Sequence, residues 1–264
     1  MSFKEASKFT TMCEVAVIAN EQISPNFRRI TVAGEELAQL PRHGFDHWFR
    51  LFLPQESGET NFDLPKKLGL IGYVKFMRMN SATRPYLRNY TVAEFRPDQR
   101  ELDIDFVVHG DHGPASRWAQ RAGAGDTVVL VDQGRGFDPD PGAAQYLLAG
   151  DETVLPAIAG ILRDLPREAR GLAVLEVADA GDRRELAAPA GFDIRWLVRT
   201  DEHPGSLALA ELKTWQPDDP KSLSAYICGE HELPVGGRRH LVSLGVPKSR
   251  IAFVGYWRQG KAAY

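Results

Sequence analysis

The chain has 264 residues, and at about 150 residues per domain this length predicts two modest domains. Lys and Arg total 32 against 35 Asp and Glu, a formal charge of −3, so there is no overall basic field and we expect no nucleic-acid partner. The apolar fraction of 43% and charged fraction of 25% exclude a mostly disordered or fibrous chain.

The chain has only two cysteines, Cys13 and Cys228, and they lie far apart in the sequence. Alone they cannot form a disulfide framework, a four-cysteine iron–sulfur cluster or a structural zinc site, and we identify no other set of metal ligands. The apolar run at residues 15–19 is too short for a signal peptide core or a membrane span. We therefore expect a cytoplasmic protein without membrane insertion.

The first half of the chain has the pattern of strands and turns. Segments 13–19 and 27–32 are rich in Val and Ile and flank a turn-prone sequence, which predicts a hairpin. A further strand is predicted at 127–131. Residues 54–84 have no hydrophobic period that assigns them a structure.

The clearest alternation lies at residues 102–108, where apolar side chains on one face alternate with Asp103 and Asp105 on the other. This pattern predicts a half-buried strand. The turn-forming sequence at 96–99 precedes it, so we predict residues 86–95 as its antiparallel partner.

After residue 142 the pattern changes to short apolar runs without alternation, as expected of strands that are covered on both faces. These runs are residues 146–149, 172–177, 194–198, 225–228 and 251–255. Helical stretches separate them, and in one of these Leu155, Ile158, Ala159 and Leu162 share a face. We therefore predict an antiparallel β-domain at 1–141 and a parallel α/β domain at 142–264, with a ligand crevice at the carboxyl ends of the parallel strands.

The sequence RNYT at 88–91 lies on a predicted strand, so that Arg88 and Tyr90 share a face and a hydroxyl follows at Thr91. Arginine offers a planar fork to phosphate, and tyrosine offers a flat surface to a planar ring. A flavin nucleotide needs both. An ordinary cross-strand pair of Arg and Tyr gives the same short pattern, so the alternative stays open.

Residues 105–118 predict a strand that ends at His109, a glycine-bounded turn and a helix that begins near Pro114. The backbone N–H groups of such a turn and the helix dipole favour an anionic pyrophosphate above the strand end. The alternative is a capped helix in which His109 is an ordinary turn residue.

The segment Gly150 to Thr153 lies between a predicted strand and a predicted helix, where a dinucleotide-binding fold has its phosphate loop. It lacks the GxGxxG pattern. Asp151, Glu152 and Thr153 also suit a helix start, so a capping sequence is the alternative.

At the carboxyl end, a predicted buried strand continues into Tyr256 and Trp257, and Arg258 and Lys261 follow. This sequence puts aromatic surface and positive charge at the predicted crevice. The alternative is an exposed, frayed tail.

In their order along the chain, these features resemble the ferredoxin-reductase-like flavoproteins, and more narrowly the siderophore-interacting protein family of ferric-siderophore reductases. The resemblance covers nearly the whole chain. It is carried by RNYTV at 88–92, DFVVHGDHGPASRWA at 105–119, LLAGDETVLPAI at 147–158, CGE at 228–230 and VGYWRQGKA at 254–262. It implies an antiparallel β-barrel that binds FAD, followed by a parallel α/β domain that binds NADPH or NADH.

The resemblance also implies roles for individual residues. Arg88 would bind the FAD pyrophosphate, Tyr90 would pack along the isoalloxazine, and Thr91 would lie near its reactive N5 edge. The remaining FAD contacts would come from Asp105, Val108, His109, Ala115, Ser116, Arg117 and Trp257. The NAD(P)H contacts would come from Gly150, Asp151, Glu152, Thr153 and Glu230. Ferric siderophores are often anionic, and Arg50 and Lys261 are the predicted substrate contacts.

The sequence departs from the family pattern at two places. Ala93 stands where the family often has a second arginine, and Ile227-Cys228 stands where it often has tryptophan and alanine. The first departure weakens the prediction of a phosphate contact, and the second weakens that of nicotinamide placement.

The implied function is reduction of a ferric siderophore by electrons from NAD(P)H through FAD, which releases Fe(II) and needs no catalytic side chain of its own. Two alternatives stay open: a general flavin or electron-transfer reductase, and a binding protein without turnover. Ferredoxin is an alternative electron donor. Arg183 and Arg184 could meet a 2′-phosphate, but Asp179 and Asp182 lie beside them, so the sequence does not choose between NADPH and NADH.

Overall fold

The change of hydrophobic pattern near residue 142 corresponds to a change of sheet type. In the computed structural model, which describes residues 11–56, 58–65, 70–108 and 113–261, an antiparallel sheet of seven strands precedes a parallel sheet of five. The first sheet consists of β1 (Met12–Ser24), β2 (Phe27–Ala33), β3 (Trp48–Leu53), β4 (Tyr86–Thr91), β5 (Glu94–Arg96), β6 (Glu101–Val107) and β7 (Thr127–Asp132). Their order is β4-β3-β7-β1-β2-β6-β5.

The first sheet closes on itself as a barrel, because the strands at its two edges are consecutive in the chain. Val92 and Ala93 join edge strand β4 to edge strand β5. The Val92 N–H donates to the carbonyl of His47 at 2.8 Å, and the Ala93 N–H donates to that of Asp103 at 3.0 Å. The enclosed core is apolar, which is what the alternating pattern requires.

The predicted hairpin is confirmed, since β1 and β2 pair antiparallel. The predicted pairing of residues 86–95 with the strand at 102–108 is wrong for most of that segment. β4 pairs with β3, and only the short β5 pairs with β6. The prediction that the strand at 102–108 is half-buried is also wrong, because the side chains of Asp103 and Asp105 on its polar face are buried, each residue being only 5% exposed.

Two helices cover the barrel. Residues 54–84, to which the sequence assigns no structure, contain α1 (Leu70–Met77), whose Phe76 ring packs edge-on against Phe52 at 5.3 Å on the outer face of β3. The second helix, α2 (Pro114–Arg121), buries Trp118 and Ala119 in the barrel core.

The second sheet consists of β8 (Gln145–Gly150), β9 (Arg170–Val177), β10 (Gly191–Val198), β11 (Leu223–Glu230) and β12 (Ile251–Trp257). All its neighbours are parallel, in the order β10-β9-β8-β11-β12. The five predicted strands and the parallel sheet are therefore confirmed. The order reverses between β8 and β11, and in open sheets of this type the ligand crevice lies at such a switch point.

Helices cover both faces of the second sheet: α3 (Leu155–Asp164) on one, α4 (Ser206–Thr214) and α5 (Glu232–Ser243) on the other. The predicted helix is present and buries Leu155, Ile158 and Leu162, but Ala159 of the same predicted face is only partly buried, and Ala157 and Ile161 on other faces are buried as well, so the single apolar face is wrong. The longest helix in the described part of the chain has 12 residues. None of the described helices has the length and apolar character needed to span a bilayer.

The barrel packs against α3 of the second domain at close range. Gly160 in α3 leaves no room for a side chain, because an added Cβ would lie 2.2 Å from the carbonyl oxygen of Phe45. The carboxylate of Asp182 accepts hydrogen bonds from the Ser24 hydroxyl at 2.6 Å and the Asn26 N–H at 2.9 Å. These contacts join α3 and the turn after β9 to the barrel.

Candidate functional site

Arg88 and Tyr90 project from the same face of edge strand β4. The Tyr90 ring lies 4.3 Å from that of Phe106, which lies 5.4 Å from that of Trp118 in α2. Burial raises the pKa of the Tyr90 phenol well above its usual range. The structure thus brings the predicted arginine and tyrosine together at one end of a row of three aromatic rings.

Arg88 is half-buried, and burial lowers the pKa of its guanidinium below the usual range. Its guanidinium donates to the carbonyl of Leu87 at 2.7 Å, and no carboxylate within the described ranges pairs with it. The Nε1 atom of Trp118 is also buried and has no hydrogen-bond partner among these residues. A partly desolvated cation without a counter-ion is costly in a folded protein, and a bound anion would offset that cost.

The first turn of α2 packs against the same barrel core as Tyr90. Gly113, which has φ of +91°, is the N-cap, and Pro114 occupies the first turn. Ala115 packs against the barrel core and Ser116 is buried, while the Nε atom of Arg117 lies 2.5 Å from a carboxylate oxygen of Glu56. The helix dipole favours an anion here. The predicted contact at His109 lies outside the described residues.

Asp105 lies in the contact between the two domains. Its carboxylate, with 1% of the side chain exposed, accepts hydrogen bonds from Arg29 at 2.7 and 3.0 Å and from Arg184 at 2.7 Å. Arg184 also lies over the ring of Phe27, 5.0 Å from its centroid. Both oxygens of Asp105 therefore have partners, and Arg184 is held at the barrel.

Val108, the last described residue before the turn, borders a cavity of about 280 Å³. Its N–H donates to the carbonyl of Asn26 at 2.8 Å. Gln22, Arg28 and Gln120 also line this cavity, so it lies beside one of the predicted FAD contacts.

Thr91 lies on the opposite face of β4 from Tyr90. It is buried and pairs in register with Trp48, and Arg50 follows on the same face of β3. Burial lowers the pKa of Arg50. The other predicted substrate residue, Lys261, is exposed in the turn after β12, where its N–H donates to the carbonyl of Arg258 at 3.1 Å.

Asp151 links three strand ends at the switch point of the second sheet. Its side chain is fully buried, and its Oδ2 accepts hydrogen bonds from the Glu230 N–H at 2.6 Å and the Trp257 indole N–H at 2.9 Å. Its Oδ1 accepts one from the Thr153 N–H at 2.9 Å. Burial and the neighbouring charge of Glu152 raise the pKa of Asp151 to about 6.

The other acidic residues near Asp151 also have internal partners. Arg199 binds Glu152 at 2.6 and 2.8 Å and Glu176 at 3.1 Å. Glu230 accepts a hydrogen bond from the Glu232 N–H at 2.7 Å. Asp151 caps a short 3-10 turn at 152–154. Residues 150–153 therefore form a helix-capping sequence, which is the alternative to a phosphate loop that the sequence left open.

Two glycines lie at the carboxyl ends of β8 and β11, where neighbouring side chains pack directly against them. A Cβ added to Gly150 would lie 2.6 Å from the Cβ of Val154. Gly229 has φ of +119°, a conformation that favours glycine, and a Cβ there would lie 2.6 Å from Asp151 Oδ2. Both glycines are therefore required by the packing of the switch point itself.

The end of β12 is ordered by specific contacts. Trp257 is half-buried and held by Asp151, and the Tyr256 hydroxyl lies 2.7 Å from that of Tyr226. The alternative interpretation of this segment as an exposed, frayed tail is therefore wrong for residues 251–257. Trp257 lies beside the switch point, as the predicted crevice requires.

The sequence does not reveal a cluster formed by His43, His47 and Asp132. The Nε2 atoms of the two histidines lie 3.1 and 2.9 Å from the two carboxylate oxygens of Asp132. Burial opposes ionisation of Asp132, but hydrogen bonds from His47 and the Gly134 N–H outweigh it and hold the pKa of Asp132 below its usual range. The four-residue spacing of His43 and His47 is a local signal that the sequence analysis missed, whereas Asp132 is 85 residues away from His47 and has no local signal.

The two halves of the chain match two family models. Residues 16–136 match the siderophore-interacting FAD-binding domain, and residues 143–260 match siderophore-interacting protein. The chain belongs to the siderophore-interacting protein family. The family resemblance and the fold class predicted from the sequence are thereby confirmed.

Among members of this family, ferric vibriobactin reductase ViuB of Vibrio cholerae is 32% identical over 92% of this chain and 88% of that protein. NADPH-dependent ferric-chelate reductase of Escherichia coli is 30% identical, over 92% of both chains. The crystal structure of a siderophore utilization protein from T. fusca superposes with a TM-score of 0.83 at 32% identity, over 96% of this chain and 95% of that one.

The residues around Arg88 fit FAD. The cofactor carries a pyrophosphate and a flat ring, and the site offers a half-buried guanidinium without a carboxylate partner in the described part of the chain, a helix N-terminus and the partly exposed ring of Tyr90. The individual contacts remain predictions.

Proposed function

We propose that this protein is a ferric-siderophore reductase that binds FAD, takes electrons from NAD(P)H and releases Fe(II) for iron acquisition. The observation that carries the proposal is the half-buried Arg88, which has no carboxylate partner in the described ranges and lies beside Tyr90. Two members of the same family, a ferric vibriobactin reductase and an NADPH-dependent ferric-chelate reductase, support it.

The barrel residues would hold the cofactor. Arg88 and the N-terminus of α2 would bind its pyrophosphate, and Tyr90 would lie against the ring, with Thr91 near the N5 edge. Bound FAD can accept two electrons together and release them singly, which suits a nicotinamide donor and an iron acceptor. The protein would orient the FAD, exclude water from it and compensate the charge of its pyrophosphate.

The strand ends of the second sheet would hold the nicotinamide nucleotide. At these strand ends Asp151 fixes the position of Trp257, and the backbone at Gly150 and Gly229 is packed against Val154 and Asp151. Arg199 neutralises part of the acidic charge by binding Glu152 and Glu176. Because these carboxylates already have partners, the strand ends would meet the nucleotide mainly through backbone groups and the aromatic surface of Trp257.

For the electron donor, we favour NADPH. The E. coli relative is named as NADPH-dependent, and this is the support for the choice. The arginine pair considered for a 2′-phosphate does not strengthen it, since Arg184 binds Asp105. Ferredoxin as an alternative donor and a cytoplasmic location remain predictions.

For the substrate, we propose a ferric siderophore that approaches Arg50 and Lys261. Fe(III) binds hard oxygen ligands strongly, and reduction weakens that attraction, so Fe(II) leaves the siderophore more readily. Positive charge at these residues would attract an anionic complex before reduction.

The test is a steady-state assay of the FAD-loaded protein with NADPH or NADH, a panel of ferric siderophores and a ferrous chelator that traps the product. We expect turnover with ferric siderophores and a preference for NADPH. Faster reduction of free flavin or a haem protein than of every ferric siderophore would instead support the general reductase. A preparation that cannot be loaded with FAD would support a binding protein.

A further inference from the structure

The His43, His47 and Asp132 cluster has the composition of a metal site. The Nε2 atom of His47 lies 2.9 Å from Asp132 Oδ1, and that of His43 lies 3.1 Å from Oδ2. One donor atom from each of the three residues can be chosen so that no two are more than 4.8 Å apart. Two imidazoles and one carboxylate thus converge from two separate segments of the chain.

The cluster is anchored on one side and open on the other. The Asp132 side chain is fully buried and the His47 side chain 5% exposed, whereas the His43 side chain is 26% exposed. The Gly134 N–H donates to Asp132 Oδ1 at 2.9 Å and thereby orients the carboxylate. An ion could therefore reach preoriented ligands from the side of His43.

The donor spacing is close to that of a coordinated ion. With ligand bonds of about 2.1 Å, neighbouring donors around a metal lie roughly 3.0 to 3.4 Å apart. The His43 nitrogen lies within this range of one carboxylate oxygen, at 3.1 Å, and the His47 nitrogen lies just below it from the other, at 2.9 Å. The His43 ring stands edge-on to that of His47, with 4.7 Å between the ring centroids, and a small movement of the partly exposed ring would complete the set.

The cluster also lies beside the predicted flavin face. Asp132 pairs in register with Phe49, and Phe49 pairs with Tyr90. The backbone of Asp132 is therefore two strand spacings, about 10 Å, from that of Tyr90. This places the cluster within two strands of the ring against which the proposed flavin would lie.

We propose that His43, His47 and Asp132 bind a divalent first-row transition ion, and that Fe(II) released by the reaction is its occupant. Two histidines and one carboxylate leave coordination positions open and suit Fe(II) and its neighbours in the series. The identity of the occupant rests on the proposed function, whereas the binding site itself does not.

The test measures ion binding by the full chain, freed of any affinity tag and of metal. Zn(II) and Co(II) are titrated by calorimetry, and Fe(II) is measured by anaerobic equilibrium dialysis, in the absence of NAD(P)H and siderophore. We expect one ion per chain. His43→Ala should lower the affinity by about 10- to 100-fold or more, since even the loss of an outer-shell partner has an effect of this size.

The matched control is His240→Ala, which removes a partly exposed histidine from α5 in the other domain. It should bind as the wild type does. His43→Ala is preferred to Asp132→Asn because His43 is partly exposed, and a circular dichroism melt verifies that the variant folds.

Absence of stoichiometric binding, or equal affinity of the wild type and folded His43→Ala, would overturn the site and leave a purely hydrogen-bonded cluster. Binding of Zn(II) and Co(II) without Fe(II) would overturn the assigned occupant. A protein that binds the ions but does not reduce ferric siderophores would contradict the proposed function and the occupant, while the site itself would stand.

Discussion

The barrel face around Arg88 and the strand ends around Asp151 both belong to the candidate site, yet they are built in opposite ways. Arg88 is a half-buried cation without a carboxylate partner in the described part of the chain. Near the switch point, the buried carboxylates of Asp151, Glu152, Glu176 and Glu230 all accept hydrogen bonds from within the protein. The barrel face thus has a charged side chain that can bind a ligand. At the switch point, the charged side chains instead stabilise the local structure.

This difference separates two kinds of mutational effect. Replacing a side chain of the barrel face should change ligand affinity and leave the fold intact. Replacing a carboxylate that already has internal partners should change stability before it changes binding. The predictions below test that separation.

The largest effect is expected at Asp105, which the family resemblance assigns to FAD but which the structure holds between Arg29 and Arg184. Asp105→Asn should lower the free energy of unfolding by about 3–5 kcal/mol, because a buried ion pair that loses one partner leaves an uncompensated charge. Urea denaturation of the apoprotein measures this loss. An unchanged stability together with weaker FAD binding would mean that Asp105 serves the cofactor.

Asp151 should give a stability effect that depends on pH. Its folded pKa, about 6, lies above its ordinary value of 3.8. Between these values the folded protein holds a proton that the unfolded chain has released, so stability from this group falls as the pH rises from about 4 to 6. The full difference corresponds to about 3 kcal/mol.

The measurement is the unfolding free energy of wild type and Asp151→Asn at several pH values. The difference between the two removes the contributions of the other titrating groups. We expect the wild type to lose stability relative to the variant over this window. A difference that is independent of pH, or that grows in favour of the wild type as the pH rises, would contradict the assignment.

Arg88→Ala should mainly affect the cofactor. Hydrogen bonds to charged groups contribute about 1.5–3 kcal/mol, so FAD affinity of the apoprotein should fall by about 10- to 150-fold. Fluorescence titration with FAD measures it, and Arg170→Ala, which removes an exposed arginine of the second domain, is the control. Equal affinity of wild type and Arg88→Ala would remove the basis for placing the pyrophosphate there.

The smallest effect is expected at Asp218, which pairs with Arg170 at 2.7 Å on the surface. Asp218→Ala should change the free energy of unfolding by about 0–1 kcal/mol, because both side chains are exposed to solvent. Urea denaturation beside Asp105→Asn gives the comparison. A loss as large as that of Asp105→Asn would show that burial does not distinguish the two ion pairs.

The sequence predicts the architecture well because hydrophobic periods are local. The unalternating runs at 172–177 and 225–228 are buried central strands, and the helix predicted around 155–162 is present as α3, although it is buried on more than one face. Strand partners are not local, and for this reason the predicted partner of residues 86–95 is wrong for most of the segment. The polar side chains of Asp103 and Asp105 suggest solvent, but arginines from other segments cover them.

The candidate site follows the same division. Arg88 and Tyr90 share a face because strand alternation requires it, and the sequence could predict this. The partners of Asp151 and Glu152 could not be predicted, since Trp257 and Arg199 are 106 and 47 residues away. The eight-residue helix α1 includes a glycine and is too short to show a helical period.

The most direct test of the account is a single turnover of the FAD-loaded protein under anaerobic conditions. The flavin is first reduced with one equivalent of NADPH and then mixed with excess ferric siderophore and a ferrous chelator. The account predicts that the flavin absorbance bleaches and then returns as about two Fe(II) per flavin appear, since the flavin releases its two electrons singly. A flavin that stays reduced in the presence of every ferric siderophore tested would contradict it.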